Sequence, residues 1–331
     1  MPSTLTHYYV SEKVFESLDN RTKQLILPYK KLYTLGAQGP DILMGLMLEK
    51  DEEKKNYGEL LHTKYVYAGL ANAADYLASH QTDGAIYAYF LGCLTHYAAD
   101  SIVHPYVYHY VAYRMKLKFD PILNNCLHTI VETEMDAFVG NFLLKGKNAN
   151  CIKHVGGTRK FRNVVKKYYL QVNKELFRFR LTYRDVDKSF FFYRLLVFLC
   201  HRHNNGKLRY KLFVKLDNYL KAEHLLLAAL RPRTLETRYD YLNLNKTPYK
   251  AVDTPLDCPT VDYSFPEMLD LSIAKGRKAI QMANEQIFHG VRMPKEFFDI
   301  NYNGGYNEEL TTQNAPADIM PPIEDSLDNK E

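Results

Sequence analysis

From Gly84 to Tyr106 the chain reads GAIYAYFLGCLTHYAADSIVHPY, a helix-length run whose one charged side chain is Asp100. A helix apolar on nearly every side belongs in a protein interior, where an unpaired carboxylate is strongly disfavoured. His96 and His104 flank Asp100 at four-residue spacing, so the three side chains share one helix face and converge. A divalent cation is the simplest partner that compensates a buried carboxylate and two imidazoles at once. The segment NNCLHTIVETEMDAF repeats the device, with His128 and Glu132 four apart on a second helical pattern.

The 331 residues, 46% of them apolar, are ample for a large core, and a net charge of +5 is too mild to demand nucleic acid. Five scattered cysteines (Cys93, Cys126, Cys151, Cys200, Cys258) contain no Cys-x-x-Cys, which argues against a disulfide framework or a zinc knuckle and for free thiols in a reducing compartment. MPSTLTHYYVSEKVF has neither the basic nor the apolar region of a signal peptide, and no segment reaches the roughly 20 apolar residues of a membrane-spanning helix. The expectation is a cytoplasmic protein. The most apolar short run, Ser189 to Cys200, is interrupted by Arg194 and reads as a buried helix, with docking on a lipid surface the alternative.

Helical periodicity recurs over Ser11–Leu27, Gly58–Ser79, Gly84–His104, Ile122–Phe142, Phe161–Phe179, Lys188–His201, Lys207–Leu230 and Phe265–Gln286, while alternating strand patterns are scarce. The fold class is therefore all-α, a multi-helix bundle around a buried polynuclear metal cluster. Leu35–Asp41, Lys145–Thr158 and Arg231–Tyr263 read as loops. The expected organisation is a metal-binding helical core over residues 1–145 and accessory helices packed on it over 146–235. A C-terminal helix within 236–300 completes the same domain, and 301–331 form a flexible acidic tail. The basic stretch from Lys153 to Arg184 reads as the solvated face of amphipathic helices, with contact to anionic lipid or nucleic acid the alternative, and no specific nucleic-acid partner is expected.

Three further candidate ligands precede the central run: His7, Asp41 in GAQGPDIL and His62 in ELLHTKY. Taken singly, Asp41 also suits a helix N-cap, and His7 and His62 suit core or surface histidines. The ordered set His7, Asp41, His62, His96-x-x-x-Asp100, His104, His128-x-x-x-Glu132 resembles the zinc-dependent phospholipase C family, whose wider superfamily includes the S1/P1-type nucleases. THYAAD, HTIVE and the ligand order carry the resemblance over roughly residues 1–140. YLNLNKTPY and the following FPEMLDLSIAKGRKAI are similar to the C-terminal part of cytoplasmic-type members.

The resemblance implies two or three Zn2+ ions. Asp41, His62, His96 and Asp100 would hold one, Asp100 would bridge to a second that also takes His7, and His104, His128 and Glu132 would hold the third. It implies Asp41 as the proton acceptor, and metal-activated water attacking the phosphodiester of a glycerophospholipid, with transient contact at a membrane surface. Secreted members add an N-terminal tryptophan as ligand; this chain has no tryptophan, and the alternatives are the amine of Pro2 once Met1 is removed, water or substrate in its place, or a weakly bound ion. A nuclease, a phosphoesterase on soluble substrates and a non-catalytic bundle stapled by metal remain as alternatives. His80, His109, His154, His224 and His289 have no partner at ligand spacing, and His201 and His203 suit a helix end better than a metal.

Overall fold

The computed structural model describes residues 4–116, 121–145, 155, 159–173, 181–200, 207–220, 225–232, 234–250, 259–305 and 307. Its elements are α1 (Thr4–Ser17), α2 (Asn20–Ile26), α3 (Lys30–Gly36), α4 (Glu52–Lys55), α5 (Tyr57–Thr63), α6 (Val66–Ser79), α7 (Gly84–Lys116), α8 (Pro121–Phe138), α9 (Arg159–Lys167), α10 (Tyr183–Cys200), α11 (Lys207–Leu220), α12 (Leu225–Ala228) and α13 (Phe265–His289). A 3-10 segment, Gly39–Leu48, joins α3 to α4, and π-helical turns extend α8 and α9. Among the described residues the extended structure is one antiparallel bridge, Tyr249 with Val261. The all-α expectation holds.

The central run forms α7, and α3 and α13 pack along it. Around it lies one continuous apolar core that reaches from Leu5 in α1 to Tyr302 beyond α13, with Tyr33, Tyr89, Phe90, Tyr97 and Phe298 fully enclosed. Bulky phenols are tolerated there because their hydroxyls find partners: Tyr33 Oη donates to the Ser11 carbonyl at 2.8 Å, tying α3 to α1. Local signals set several ends. Asp19 accepts the Thr22 N–H at 2.9 Å and caps α2, and Ser264 with Glu267 forms a capping box on α13. Among the described residues no helix is long and apolar enough to cross a membrane.

Several boundaries differ from expectation. Ser11–Leu27 is two helices, α1 and α2, and α1 starts at Thr4, so His7 lies on a helix rather than ahead of one. Leu35–Asp41 is not a loop: Leu35 and Gly36 close α3, and Gly39 opens the 3-10 segment that carries Asp41. Gly58–Ser79 breaks into α5 and α6 at Tyr65, which adopts a left-handed backbone (φ 57°). The central helix continues through Pro105 to Lys116. Asn301, Tyr302 and Asn307, placed in a tail by the sequence reading, are buried, because Asn301 N–H bonds the Gly305 carbonyl and Asn307 N–H the Asp299 carbonyl. Residues 308–331 of that tail, Cys151, Cys258 and most of Lys145–Thr158 lie outside the described residues.

Candidate metal centre

Five elements deliver the eight expected ligands: α1 carries His7, the 3-10 segment Asp41, α5 His62, α7 the trio His96, Asp100 and His104, and α8 the pair His128 and Glu132. The structure brings all eight together in three groups able to hold a metal ion: His7 with His96 and Asp100, Asp41 with His62 and His96, and His104 with His128 and Glu132. Within each group one ligand atom per residue lies within 4.8 Å of the others. Seven of the eight are buried; His128 is partly exposed and marks the side open to solvent.

Asp100 divides its oxygens between two neighbours. Oδ1 lies 3.3 Å from His7 Nε2 and Oδ2 lies 3.0 Å from His96 Nε2, the arrangement a bridging carboxylate needs. His96 falls in two of the groups because its ring sits between those of His7 (4.1 Å) and His62 (6.1 Å). On the other side, Glu132 Oε1 meets His104 Nε2 at 3.0 Å and His128 Nε2 at 3.3 Å.

The tautomers decide what these contacts are. Nδ1–H of His62 donates to the Gly58 carbonyl (2.6 Å), that of His96 to Ala37 (3.1 Å) and that of His104 to Tyr302. A carbonyl only accepts, so in a neutral ring the proton is on Nδ1 and Nε2 presents a lone pair. Yet each Nε2 faces a carboxylate oxygen at 3.0–3.1 Å. Two acceptors face each other favourably only if the imidazole is charged or a cation sits between them. His96 Nε2, buried and 3.0 Å from Asp100 Oδ2, has no hydrogen-bond partner among the described residues. Two ligands on one zinc at about 2.0–2.1 Å lie about 3.3 Å apart in a tetrahedron, close to the separations here. The donors are imidazole nitrogen and carboxylate oxygen, which fits zinc, and main-chain carbonyls supply the outer partners that orient metal-binding histidines.

Charge follows the same geometry. Burial disfavours the ionised form of Asp41, but the hydrogen bond from His62 and the charge of His96 outweigh it and hold the carboxyl down at about 2. Burial likewise opposes charge on His104, while Asp100 and Glu132 lift its pKa to about 9. His7 goes the other way, lowered to about 4 by burial and by His96 beside it. Without a metal the acids of this site would be balanced by imidazoliums.

Residues that the sequence did not single out position the ligands. Asp136, fully buried on α8 one turn beyond Glu132, accepts Leu5 N–H (3.0 Å), Thr6 N–H (2.8 Å) and Thr6 Oγ1–H (2.8 Å). It caps α1 from another helix and fixes the turn that carries His7. Tyr302 gives its carbonyl to His104, donates its N–H to the His62 carbonyl (3.0 Å), and lays its ring against His62 and His96 at 5.6 and 5.4 Å. Gly304 (φ +80°) permits that approach, since a Cβ there would lie 2.6 Å from Pro105 N. Gly39 (φ +48°) makes room for His96, whose Cδ2 would be 2.1 Å from an added Cβ. The Asp41 segment is clamped from outside: Tyr169 Oη donates to the Gly39 carbonyl (2.9 Å), Tyr193 Oη to Gln38 Oε1 (2.7 Å) and Ser189 Oγ to the Ile42 carbonyl (2.8 Å). The glycine-rich turn was the visible signal for Gly39; nothing local marked Asp136 or Tyr302.

Of the histidines set aside, the described ones stay apart from the centre. His80 stacks on Tyr76 at 4.2 Å, His109 packs near Tyr249, and His289 is exposed at the end of α13. Pro2, His154, His201, His203 and His224 lie outside the described residues.

In comparison with known proteins, the family described as zinc dependent phospholipase C matches residues 6–180, a span that holds all eight of these side chains. No curated protein and no solved structure matches the chain.

Proposed function

The chain belongs to the zinc-dependent phospholipase C family, and from that premise we propose that it hydrolyses the phosphodiester of glycerophospholipids in a zinc-dependent reaction at the centre described above. The observation that supports the reading is the facing of Nε2 of His62, His96 and His104 toward carboxylate oxygens while each Nδ1 is bonded to a main-chain carbonyl, an arrangement that cations between them would satisfy.

Two or three zinc ions would be held by His7, Asp41, His62, His96, Asp100, His104, His128 and Glu132. Zinc held by these residues would supply Lewis-acid chemistry, stabilising charge on the phosphoryl oxygens and making an attacking water acidic enough to ionise near neutral pH. Asp41 would orient the attacking water and accept its proton. The buried Tyr302 ring and the apolar wall of α7 keep the inner side dry, so substrate enters beside His128 and Tyr108, whose rings are 4.9 Å apart. Burial pushes the Tyr108 hydroxyl well above its usual value, so it stays protonated there as a hydrogen-bond donor for a phosphoryl oxygen. The buried thiols Cys93, Cys126 and Cys200 support residence in a reducing, cytoplasmic setting.

Purified protein should turn over a chromogenic phosphodiester and phosphatidylcholine, lose both activities to a chelator, regain them with zinc, and lose them in Asp100→Asn. Bound zinc with no turnover of any phosphoester would leave a metal-stapled bundle. Cleavage of single-stranded nucleic acid without cleavage of lipid would move the substrate class to nucleases.

A further inference from the structure

Helix α10 has two unlike faces. The inner one, with Ser189, Phe190, Tyr193 and Val197 buried, clamps the segment that carries Asp41. The outer one sets Arg184, Lys188, Phe191, Leu195 and Phe198 in a single stripe at three- and four-residue spacing, basic at its start and apolar at its end. Phe191 is 69% exposed, Phe198 45% and Leu195 39%. The sequence reading took this run as a buried helix, with docking on a lipid surface the alternative; the structure buries one face of it.

The surroundings are positive. Neighbouring α9 carries Arg159, Lys160, Arg162, Lys166 and Lys167 with no acid, and joins α10 through Arg162 (3.7 Å) and Lys166 (2.5 Å) on Asp187. The acids of α10 are both engaged, Asp187 there and Asp185 with Lys54 at 2.9 Å; Lys188 pairs with Glu49 at 2.9 Å. Arg159, Lys160 and Arg184 remain exposed. A second copy of the chain would bring two positive faces together, and a nucleic acid would satisfy the charges but leave Phe191 and Leu195 in water. An anionic bilayer meets both demands, with phosphates for the guanidinium and ammonium groups and an acyl boundary for the rings.

We propose that the outer face of α10, with the basic face of α9, docks the protein on anionic phospholipid membranes. This deepens the lipid reading above and rests on it for its purpose, since one helix would then link the membrane to the segment holding Asp41. Docking itself is a separate physical property and is measured separately.

The test is flotation of the full-length, zinc-loaded protein with vesicles of phosphatidylcholine alone or mixed with phosphatidylserine. Wild type should bind the phosphatidylserine vesicles, with binding weakened by salt. Phe191→Ser combined with Leu195→Ser should weaken that binding at least about tenfold, and Phe191→Leu should retain it. Circular dichroism and turnover of a soluble chromogenic phosphodiester should be unchanged in both. The proposal is overturned if wild type binds neither vesicle, if the double variant binds like wild type, or if the substitutions instead abolish self-association in sedimentation. Vesicle binding without any phosphodiester turnover would leave docking in place and remove the enzymatic reading; the converse would remove docking alone.

Discussion

The carboxylate of Asp136 accepts both the backbone N–H and the hydroxyl of Thr6 at 2.8 Å, 130 residues away in the chain, and so anchors the turn from which His7 reaches Asp100. Asp136→Ala would strand the Leu5 and Thr6 N–H groups in a fully buried site. The expected cost is about 3–5 kcal/mol in urea unfolding, with Asp136→Asn milder and Thr6→Val about 1–2 kcal/mol. A loss below about 1 kcal/mol in Asp136→Ala would show that the cap is dispensable.

Gly39 should tolerate no side chain. Its left-handed backbone, and the 2.1 Å that would separate an added Cβ from His96 Cδ2, mean that Gly39→Ala must move the imidazole or the turn. Destabilisation of about 2 kcal/mol or more is expected, together with reduced zinc content after dialysis. Wild-type stability and zinc content in this variant would refute the placement of His96 beside that turn.

Asp41 separates ligand from bystander. Asp41→Asn should lower kcat by about 10²–10⁴-fold while His104, His128 and Glu132 continue to hold zinc. Activity within about threefold of wild type would remove Asp41 from the reaction.

The pH dependence of stability should differ with and without metal. In chelated protein burial opposes charge on His104, but Asp100 and Glu132 raise its pKa from 6.5 to about 9. The folded state then keeps a proton that the unfolded state releases, so the stabilisation is complete below about pH 6.5 and is lost as pH rises through about 9, on the order of 3 kcal/mol. Zinc competes with that proton, so metal affinity should rise across the same window. Urea midpoints should therefore fall with pH in chelator and resist the fall in zinc. Parallel profiles would contradict metal binding at His104.

The parts of this centre that local spacing encodes were legible beforehand. His96, Asp100 and His104 share a face because a helix repeats every 3.6 residues, and His128 with Glu132 follows the same rule. What escaped was whatever depends on distant segments. His7 was expected ahead of the first helix because the cap that starts that helix comes from Asp136. Asp41 was expected in a loop because the 3-10 segment is held by Tyr169, Tyr193 and Ser189 rather than by its own pattern. Tyr302 was assigned to a tail by its polar, glycine-bearing surroundings, yet it acts through its main-chain carbonyl and N–H, which carry no residue-specific signal. In the Ser189–Cys200 run the apolar content was plain, but only the packing of one face on the Asp41 segment shows that the other is exposed.

The most direct measurement is anomalous X-ray diffraction from crystals of zinc-loaded protein, collected on both sides of the zinc absorption edge. Peaks are expected about 2.0–2.2 Å from the facing Nε2 and carboxylate oxygen atoms, one between His104, His128 and Glu132 and at least one among His7, Asp41, His62, His96 and Asp100. Zinc-free density there, with imidazoles bonded directly to the carboxylates, would contradict the account.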